Sequence, residues 1–390
     1  MPAPKPAPVT ESALRGFKYL RRLDPLLARL RGAGADRDRA GNRRLSYDRY
    51  AALLLLYFFS PTLTSLRGLQ QATALEKVRK RFGARPTALG SLSEAAHVFD
   101  PALLRPIVAE LAAAARPAAV GDEAAALRDL EALDGSLLPA LPRMAWAAWQ
   151  DGRHRAAKMH VSFAVLRGVP TDATVTAGRD SERAQWRRLA RPGGIYVVDR
   201  GYADYELFQE LHELGCRFVA RVQENAAYEV QEERPASAAG VVRDVVIRRL
   251  GTEKHNRLLP QPFRVVVVAT GRSRGDGTAV ELVLVTNWLD LPAELVALAY
   301  RYRWSVELFF RWLKCILGCR HLLSECRNGV AIQVYVALIA SLVIGLWIGR
   351  APTKRTYEMV CFYLSGWASE AEMWAYLEKL HAKPPPPSKS

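Results

Sequence analysis

Twenty consecutive residues near the carboxyl end constrain the fold of this chain most. They read VAIQVYVALIASLVIGLWIG, residues 330–349, and contain no charged side chain. As a helix they would be about 30 Å long, enough to cross the hydrocarbon layer of a membrane. They include Gln333, however, and would form a lone span in an otherwise charged chain. We therefore predict a helix buried in a large protein core and no membrane span.

Length and charge limit the class of protein. A chain of 390 residues predicts one large domain with insertions or two to three smaller units. It carries 55 Lys and Arg against 39 Asp and Glu, a net charge of +16. This excess favours a polyanionic partner, nucleic acid before acidic lipid, although a genome rich in G and C would also raise the arginine content. Five thinly spread cysteines and the lack of a secretory signal indicate a reducing, cytoplasmic location.

The pattern of apolar residues changes along the chain. Residues 1–120 read as a helical, basic region, which we predict to contact DNA. Alternating strands and helices follow in 121–224, a β-rich insertion in 225–288, and further α/β structure in 289–350. Residues 351–390 are predicted as a helical segment with a Pro-rich tail. The alternation predicts a sheet covered by helices.

A basic cluster stands in the helical region. SLRGLQQATALEKVRKRFG, residues 65–83, is predicted as one helix that ends in Lys77, Arg79, Lys80 and Arg81. Such a cluster is typical of a helix that contacts DNA, and equally of a solvated helix face. The sequence leaves both interpretations open.

A second basic segment, YRYRWSVELFFRWLK at residues 300–314, contains a single carboxylate. In a continuous helix Tyr300, Arg303, Glu307 and Lys314 would fall within an arc of about 60°. Arg303 and Glu307 could form an ordinary ion pair between residues i and i+4, worth a few tenths of a kcal/mol. Alternatively the acid has a function of its own beside the cations.

Two further acids favour the functional interpretation. Asp134 and Asp199 each end an apolar run that reads as a strand, and a carboxylate in a sheet needs pairing or coordination. A solvated loop is the alternative for each. Together with Glu307 they supply only oxygen ligands, which suit Mg²⁺ or Mn²⁺. Two such ions about 4 Å apart would serve phosphodiester displacement, with the cationic and phenolic groups of the helix holding the phosphate backbone.

These residues resemble a known family. The spacing Tyr300-x2-Arg303-x3-Glu307-x6-Lys314 is similar to the Y-R-E-K signature of IS4-type DDE transposases. DGS, beginning at Asp134, and VVDRGY, which contains Asp199, resemble the two Asp motifs of that family, and the resemblance extends over residues 127–349.

The resemblance implies an RNase H-like mixed sheet with flanking helices, a β-rich insertion before the Glu helix and an all-helical N-terminal region. It implies that Asp134, Asp199 and Glu307 are catalytic ligands of two Mg²⁺ or Mn²⁺ ions, and that the other three signature residues contact DNA. The implied activity is cut-and-paste movement of an insertion sequence. The implied partners are the double-stranded DNA of terminal inverted repeats and target, bridged by a homodimer in the bacterial nucleoid.

Four more residues become candidates through the resemblance. Arg200 and Lys158 would line the phosphate path, or lie on a solvated surface. Trp304 and Trp288 would stack on a flipped base, as in relatives that cleave through a DNA hairpin, or pack in the core.

Two alternatives to a transposase remain. A DNA-binding protein of transposase descent could have the same sequence pattern without activity. A metal-dependent nuclease on the same fold would hydrolyse DNA without transferring strands.

Overall fold

The structure is a computed structural model that describes residues 18–33, 38, 41, 43–82, 85–118, 121–141, 143–147, 155–252, 256–273, 275, 277, 279–349 and 351–381. The chain forms two compact units. Unit 1 comprises Met1–Ala114, Ala140–Trp146 and Trp312–Ser390, and unit 2 comprises Ala115–Pro139 and Ala147–Arg311. The five consecutive segments predicted from the sequence do not coincide with these units, because the two ends of the chain meet in unit 1.

Helices dominate unit 1 and also cover the sheet of unit 2. Their bounds are α1 Lys18–Ala28, α2 Tyr47–Phe59, α3 Leu66–Ala74, α4 Glu76–Phe82, α5 Leu89–Val98, α6 Arg105–Ala114, α7 Glu182–Leu189, α8 Tyr205–Glu213, α9 Ala293–Tyr302, α10 Trp304–Arg311, α11 Arg327–Ile348, α12 Lys354–Leu364 and α13 Glu370–His381. Short 3₁₀ turns lie at Pro101–Leu104, Asp122–Leu127 and Arg200–Tyr202, and a π turn at Trp312–Ile316.

The apolar run predicted to be a buried helix is α11. In its most apolar 18-residue window, 89% of the residues are buried, and the helix packs against α2, α5 and α6. Both ends of the Gln333 amide are satisfied, since Nε2 donates to the His321 carbonyl at 2.7 Å and Oε1 accepts from the Leu323 N–H at 2.8 Å. The helix ends at Gly349, whose φ of 71° is left-handed and suits glycine. The prediction of a core helix is confirmed.

Unit 2 contains one nine-stranded sheet in the order β3-β2-β1-β4-β5-β9-β8-β7-β6. The strands are β1 Leu130–Pro139, β2 Ala156–Ala164, β3 Val169–Ala177, β4 Ile195–Val198, β5 Arg217–Arg221, β6 Ala227–Arg234, β7 Val241–Gly251, β8 Asn256–Ser273 and β9 Ala279–Thr286. Strands β1, β4 and β5 run parallel, and every other pairing is antiparallel. The predicted mixed sheet with flanking helices is confirmed, as is the helical N-terminal region.

The β-rich insertion extends the core sheet directly. Thr286 of β9 pairs with Val219 of β5, so β6–β9 continue the sheet on the side away from β3. Phe218 of β5 stacks on Phe208 of α8 with ring centroids 4.7 Å apart, and Phe263 of β8 meets Phe218 edge-on at 5.7 Å. The insertion and the core strands therefore share one hydrophobic core.

The outermost strand of the insertion, β6, was not identified from its sequence. Its register against β7 shifts twice, around Val230. Its carboxylates face basic partners on β7: Glu229 lies 2.7 Å from Arg248 and Glu233 lies 2.6 Å from Arg243. The strand reads AYEVQEER, in which charged residues obscure the period-2 pattern of a half-buried strand.

The prediction of one helix over residues 65–83 is wrong. The segment forms α3 and α4, separated by Leu75 in an extended conformation at φ −71° and ψ 134°. The Thr73 hydroxyl donates to the Gln70 carbonyl at 2.6 Å and accepts the Thr87 N–H at 3.0 Å, and such side-chain bonds compete with the helical ladder. The helix therefore ends without a Gly or Pro at the break.

A buried ion pair joins the insertion to the segment after it. Arg264 of β8 donates from Nε to Asp244 Oδ1 at 2.7 Å and from Nη2 to Oδ2 at 2.5 Å, and its Nη1 donates to the Leu291 carbonyl. Both side chains are at most 5% exposed. A buried pair of this kind fixes the position of the strand pair relative to the loop that leads into α9.

We expect Asp244→Ala to lower the free energy of unfolding by about 3–5 kcal/mol, because it leaves the Arg264 guanidinium buried without its carboxylate. Denaturant-induced unfolding measures the loss. The matched control is Arg243→Ala, which breaks a pair whose two side chains are 43% and 61% exposed and should cost less than about 1 kcal/mol. Similar losses for the two variants would contradict the interpretation of the buried pair.

Candidate functional site

Two parallel strands place the first two acids side by side. Leu133 of β1 pairs with Val198 of β4; Asp134 is the next residue on β1, and Asp199 is the first residue after β4. Neighbouring strands lie about 5 Å apart, so the two carboxylates leave the sheet at the same level. The Asp134 carboxylate accepts the Gly135 N–H at 2.7 Å, and the Asp199 carboxylate accepts the Arg200 N–H at 2.8 Å. Each acid is oriented by the backbone immediately after it.

The third acid, Glu307, lies on α10, which packs against β1. Glu307 lies in its first turn, one turn after Arg303. The Arg303 guanidinium donates from Nη1 to Asp134 Oδ2 at 3.2 Å and from Nη2 to Glu307 Oε1 at 2.8 Å. Arg303 thus bridges a sheet acid and the helix acid, which goes beyond the ordinary helix ion pair that the spacing alone allowed.

Asp199 has two side-chain partners of its own. The Tyr300 hydroxyl donates to Asp199 Oδ1 at 3.0 Å, and Arg221 Nη1 of β5 lies 3.7 Å from the same oxygen. Tyr300 and Arg303 therefore each bond one of the sheet acids, and Glu307 is joined to Asp134 through Arg303. Each of the three acids has a protein donor within reach.

The predicted continuous helix is wrong in detail. The chain tightens at Arg303, whose N–H bonds to the Tyr300 carbonyl three residues earlier at 3.1 Å. It then widens at Trp312–Ile316, where the Leu317 N–H bonds to the Trp312 carbonyl five residues earlier at 3.0 Å. These changes shift the phase of the helix, so the 60° arc does not hold to Lys314. Lys314 belongs to unit 1, whereas the other three signature residues belong to unit 2.

Below the acids lies a buried polar layer. The His160 ring, fully buried, contacts the Tyr202 hydroxyl at 3.3 Å and the Thr176 hydroxyl at 3.0 Å. Gly135 stands against this layer, because a Cβ there would come within 2.8 Å of the Lys158 side chain and 3.2 Å of His160 Nδ1. A larger residue directly after the first acid would therefore have to displace the Lys158 side chain and press on the buried His160 ring.

Burial weakens the acidity of the first acid. Desolvation raises the pKa of the Asp134 carboxyl to about 6, although Arg303 and the Gly135 N–H lower it. The nearby carboxylates of Glu307 and Glu182 raise it further. The negative charge at Asp134 is thus incompletely compensated by the protein, and an additional cation would stabilise it.

The other predicted residues have different surroundings. Lys158 is paired with Glu182 of α7, and Arg200 is exposed beside Asp199. Trp288 is buried, with the Arg217 guanidinium 4.6 Å from its ring centroid, so it packs. Trp304 is 57% exposed.

The basic cluster of the N-terminal region lies in unit 1. Lys77, Arg79 and Lys80 of α4 are exposed, and Lys80 pairs with Glu76 at 2.5 Å. The side chain of Arg81 lies outside the part of the chain that the structure describes. The exposure of these three side chains fits both sequence interpretations, a DNA-contacting helix and a solvated helix face.

Three polar residues of the site were missed by the sequence interpretation. Arg221, Glu182 and His160 come from β5, α7 and β2, far from the signature segment in sequence. Only Arg221 had a local signal, since it ends a β run, FVAR, that the pattern had identified. The other two lack a spacing pattern that would connect them with the acids.

The donor set fits a hard divalent cation. Asp134, Asp199 and Glu307 offer carboxylate oxygens, the ligands of Mg²⁺ and Mn²⁺, and Asp134 is short of positive charge. Within the described ranges, no group of three His, Cys, Asp or Glu side chains is gathered closely enough to hold an ion. The oxygens between Asp134 and Glu307 face the Arg303 guanidinium instead.

Comparisons with known proteins identify the family of the chain. Residues 127–343 match the family described as "Transposase DDE domain". The chain is 30% identical over 217 residues to a putative transposase, y4zB, of Sinorhizobium fredii, a match that covers 54% of this chain and 58% of that protein. It is 28% identical to a probable transposase for insertion sequence element IS5377 of Geobacillus stearothermophilus, covering 56% of each.

A third relative carries an IS4 name. It is a putative transposase for insertion sequence element IS4SA of Synechocystis, 25% identical over 214 residues, with 51% of this chain and 55% of that protein covered. The chain therefore spans little more than half the length of the curated relatives that it matches.

The buried His160 should make stability depend on pH. Burial, and secondarily Lys158, lowers its pKa to about 3, so the unfolded chain takes up the proton first as the pH falls. The stability that the protein gains from keeping His160 neutral is fully present above about pH 6.5 and is lost on acidification toward pH 3. Between pH 6.5 and 5 the free energy of unfolding of the wild type should fall by about 1.5 kcal/mol more than that of His160→Gln.

Denaturant unfolding at several pH values measures this difference. His97→Gln, at an exposed position on α5, is the control and should follow the wild type. An identical pH dependence for His160→Gln and the wild type would refute a neutral, buried imidazole.

Proposed function

The chain belongs to the Transposase DDE domain family, as the Y-R-E-K resemblance predicted, and we propose that it cleaves and joins DNA strands as the transposase of an insertion sequence. The observation that carries the proposal is the meeting of Asp134, Asp199 and Glu307 through Arg303 and Tyr300. The acids come from two adjacent strands and a helix separated by more than a hundred residues. An assembled site of this kind favours catalysis over an inactive DNA-binding descendant.

The family implies a dependence on divalent metal ions. We assign Asp134, Asp199 and Glu307 as the ligands of two Mg²⁺ or Mn²⁺ ions. When bound, such ions would activate a water or a 3′-hydroxyl as the nucleophile and stabilise the leaving oxygen of a phosphodiester. The rigid strand pair β1–β4 sets the spacing of two ligands, and α10 sets the third.

The chain's own residues orient the DNA. Tyr300 and Arg303 are donors at the acids, and exposed Arg200 adds a cation beside Asp199. Donors of this kind contact phosphate oxygens and fix the position of the backbone without reading sequence. We assign Lys314 to the same backbone by its place in the signature. Lys158 has a supporting role, because it already pairs with Glu182.

The remaining candidate residues concern the DNA substrates and the contacts made with them. The proposed substrates are the double-stranded terminal inverted repeats and a target duplex, bridged by a homodimer in the bacterial cytoplasm. Trp304 is the candidate for stacking on a flipped base, since its ring is more than half exposed, whereas Trp288 is packed. The exposed cluster Lys77, Arg79 and Lys80 is the candidate for contact with the DNA ends.

Glu307→Gln should lower cleavage of duplexes taken from the DNA that flanks the gene by several orders of magnitude, because it removes a ligand charge from a metal that contributes several kcal/mol to the transition state. Glu294→Gln, an exposed change on α9, is the matched control and should keep full activity. Near-normal cleavage by Glu307→Gln in Mg²⁺ would reject the site. Hydrolysis without strand transfer by the wild type would identify a nuclease.

The N-terminal cluster should contribute to the salt dependence of binding. Lys77→Ala/Arg79→Ala should reduce the slope of log K against log salt by about 2, since each lost phosphate contact removes about 0.9. Fluorescence anisotropy with a labelled duplex end measures the slope. Lys354→Ala/Arg355→Ala removes two exposed charges from α12 of the same unit and should leave it unchanged. Equal slopes for both double variants would instead support the interpretation of the cluster as a solvated helix face.

A further inference from the structure

Arg303 occupies the position between two of the acids. Its side chain is 10% exposed, and its guanidinium lies 3.2 Å from Asp134 and 2.8 Å from Glu307. The guanidinium carbon lies 5.6 Å from the centroid of the Tyr300 ring, within the range of a cation–π contact. A single positive charge thus neutralises two carboxylates that the proposed function assigns to a metal.

The arrangement leaves one donor unused. Arg303 Nε is buried and has no hydrogen-bond partner among the residues that the structure describes. An unpaired buried donor destabilises the folded state, and more so when it belongs to a charged group. The present position of Arg303 therefore satisfies the two acids at the expense of the guanidinium itself.

A phosphate group would satisfy Arg303 more completely. Guanidinium presents its N–H groups in a planar fork that matches the oxygens of a phosphate, and Nε–H takes part in that fork. The Glu307 carboxylate is the more accessible of the two acids, with 35% of its side chain exposed against 18% for Asp134. A phosphodiester that approaches from the Glu307 side would meet the guanidinium at this edge.

We propose that Arg303 is an internal counter-ion that holds Asp134 and Glu307 in a resting state, and that it is withdrawn from them by the phosphodiester backbone. This inference rests on the proposed function and adds to it a coupling between DNA binding and metal binding. The guanidinium and a divalent ion compete for the same carboxylate oxygens, so metal binding is weak until DNA attracts Arg303 away. The metal-binding form of the site is thereby favoured on DNA.

Coupling of this kind is reciprocal. If DNA strengthens metal binding by a given factor, the metal strengthens DNA binding by the same factor. Arg221 provides a comparison, because it also brings a positive charge to the acids. Among the residues that the structure describes, it is paired with Asp199 alone, at 3.7 Å, and not with two carboxylates.

The test measures Mn²⁺ binding to the full chain by titration with electron paramagnetic resonance, first without DNA. Arg303→Met keeps an unbranched apolar stem and removes the charged guanidinium, and it should bind Mn²⁺ at least tenfold more tightly than the wild type. Arg221→Met removes a charge of the same sign that meets one acid instead of two, and it should tighten Mn²⁺ binding less than Arg303→Met does. Arg303→Lys, which keeps the charge, should stay closer to the wild type than to Arg303→Met.

The same titration is then repeated with a duplex taken from the DNA that flanks the gene. The duplex should tighten Mn²⁺ binding by the wild type at least tenfold, and by Arg303→Met considerably less. Circular dichroism verifies that the variants are folded, and Arg303→Gln replaces Arg303→Met if that variant does not fold.

Two results would overturn the inference. If Arg303→Met binds Mn²⁺ no more tightly than the wild type without DNA, Arg303 is not a competing counter-ion, and the cleavage test at Glu307 still decides the proposed function. If Arg221→Met tightens binding as much as Arg303→Met, the effect is general electrostatics. A failure of every protein to bind Mn²⁺ even with DNA would reject the metal site itself.

Discussion

Burial of α11 is the constraint on which the organisation of unit 1 depends. A helix of 22 residues that is apolar on nearly all sides has no face to present to water. α2, α5 and α6 from the first third of the chain cover it, although more than two hundred residues separate them in sequence. The hydrophobic core around α11 can therefore form only after both the first third and the last part of the chain have been synthesised. Removing residues 1–114 would expose the most apolar segment of the protein.

Unit 2 depends on register in the same way. The pairing of Leu133 with Val198 places two acids on neighbouring strands at one level, and a one-residue slip would turn one of them to the opposite face. The buried layer of His160, Tyr202 and Thr176 supports β1 at this point. The segment from Tyr300 to Glu307, which covers the end of α9 and the start of α10, supplies both the third acid and the groups that neutralise the acids. Position and charge balance of the site are thus set by the same few elements.

The sequence predicted the parts of the site that have local signals. Asp134 and Asp199 follow apolar runs, and Tyr300, Arg303 and Glu307 share a helical spacing. It failed where long-range geometry decides, since the phase change after Arg311 that carries Lys314 into the other unit has no periodic signal. Arg221 and Glu182 reach the site through strand order and helix packing, neither of which a single sequence displays. For the same reason the insertion was recognised as β-rich but not as a continuation of the core sheet.

The outer edge of that sheet has a consequence for solubility. A nine-stranded sheet ends in a strand with unpaired backbone groups, which can recruit another chain. On β6 two register shifts distort the strand, and Glu229, Glu232 and Glu233 place charge along it. Opposite charges from Arg243 and Arg248 of β7 balance them, so the edge is irregular and strongly hydrated. Such an edge opposes strand addition and protects a highly basic, β-rich protein from polymerising through its largest sheet.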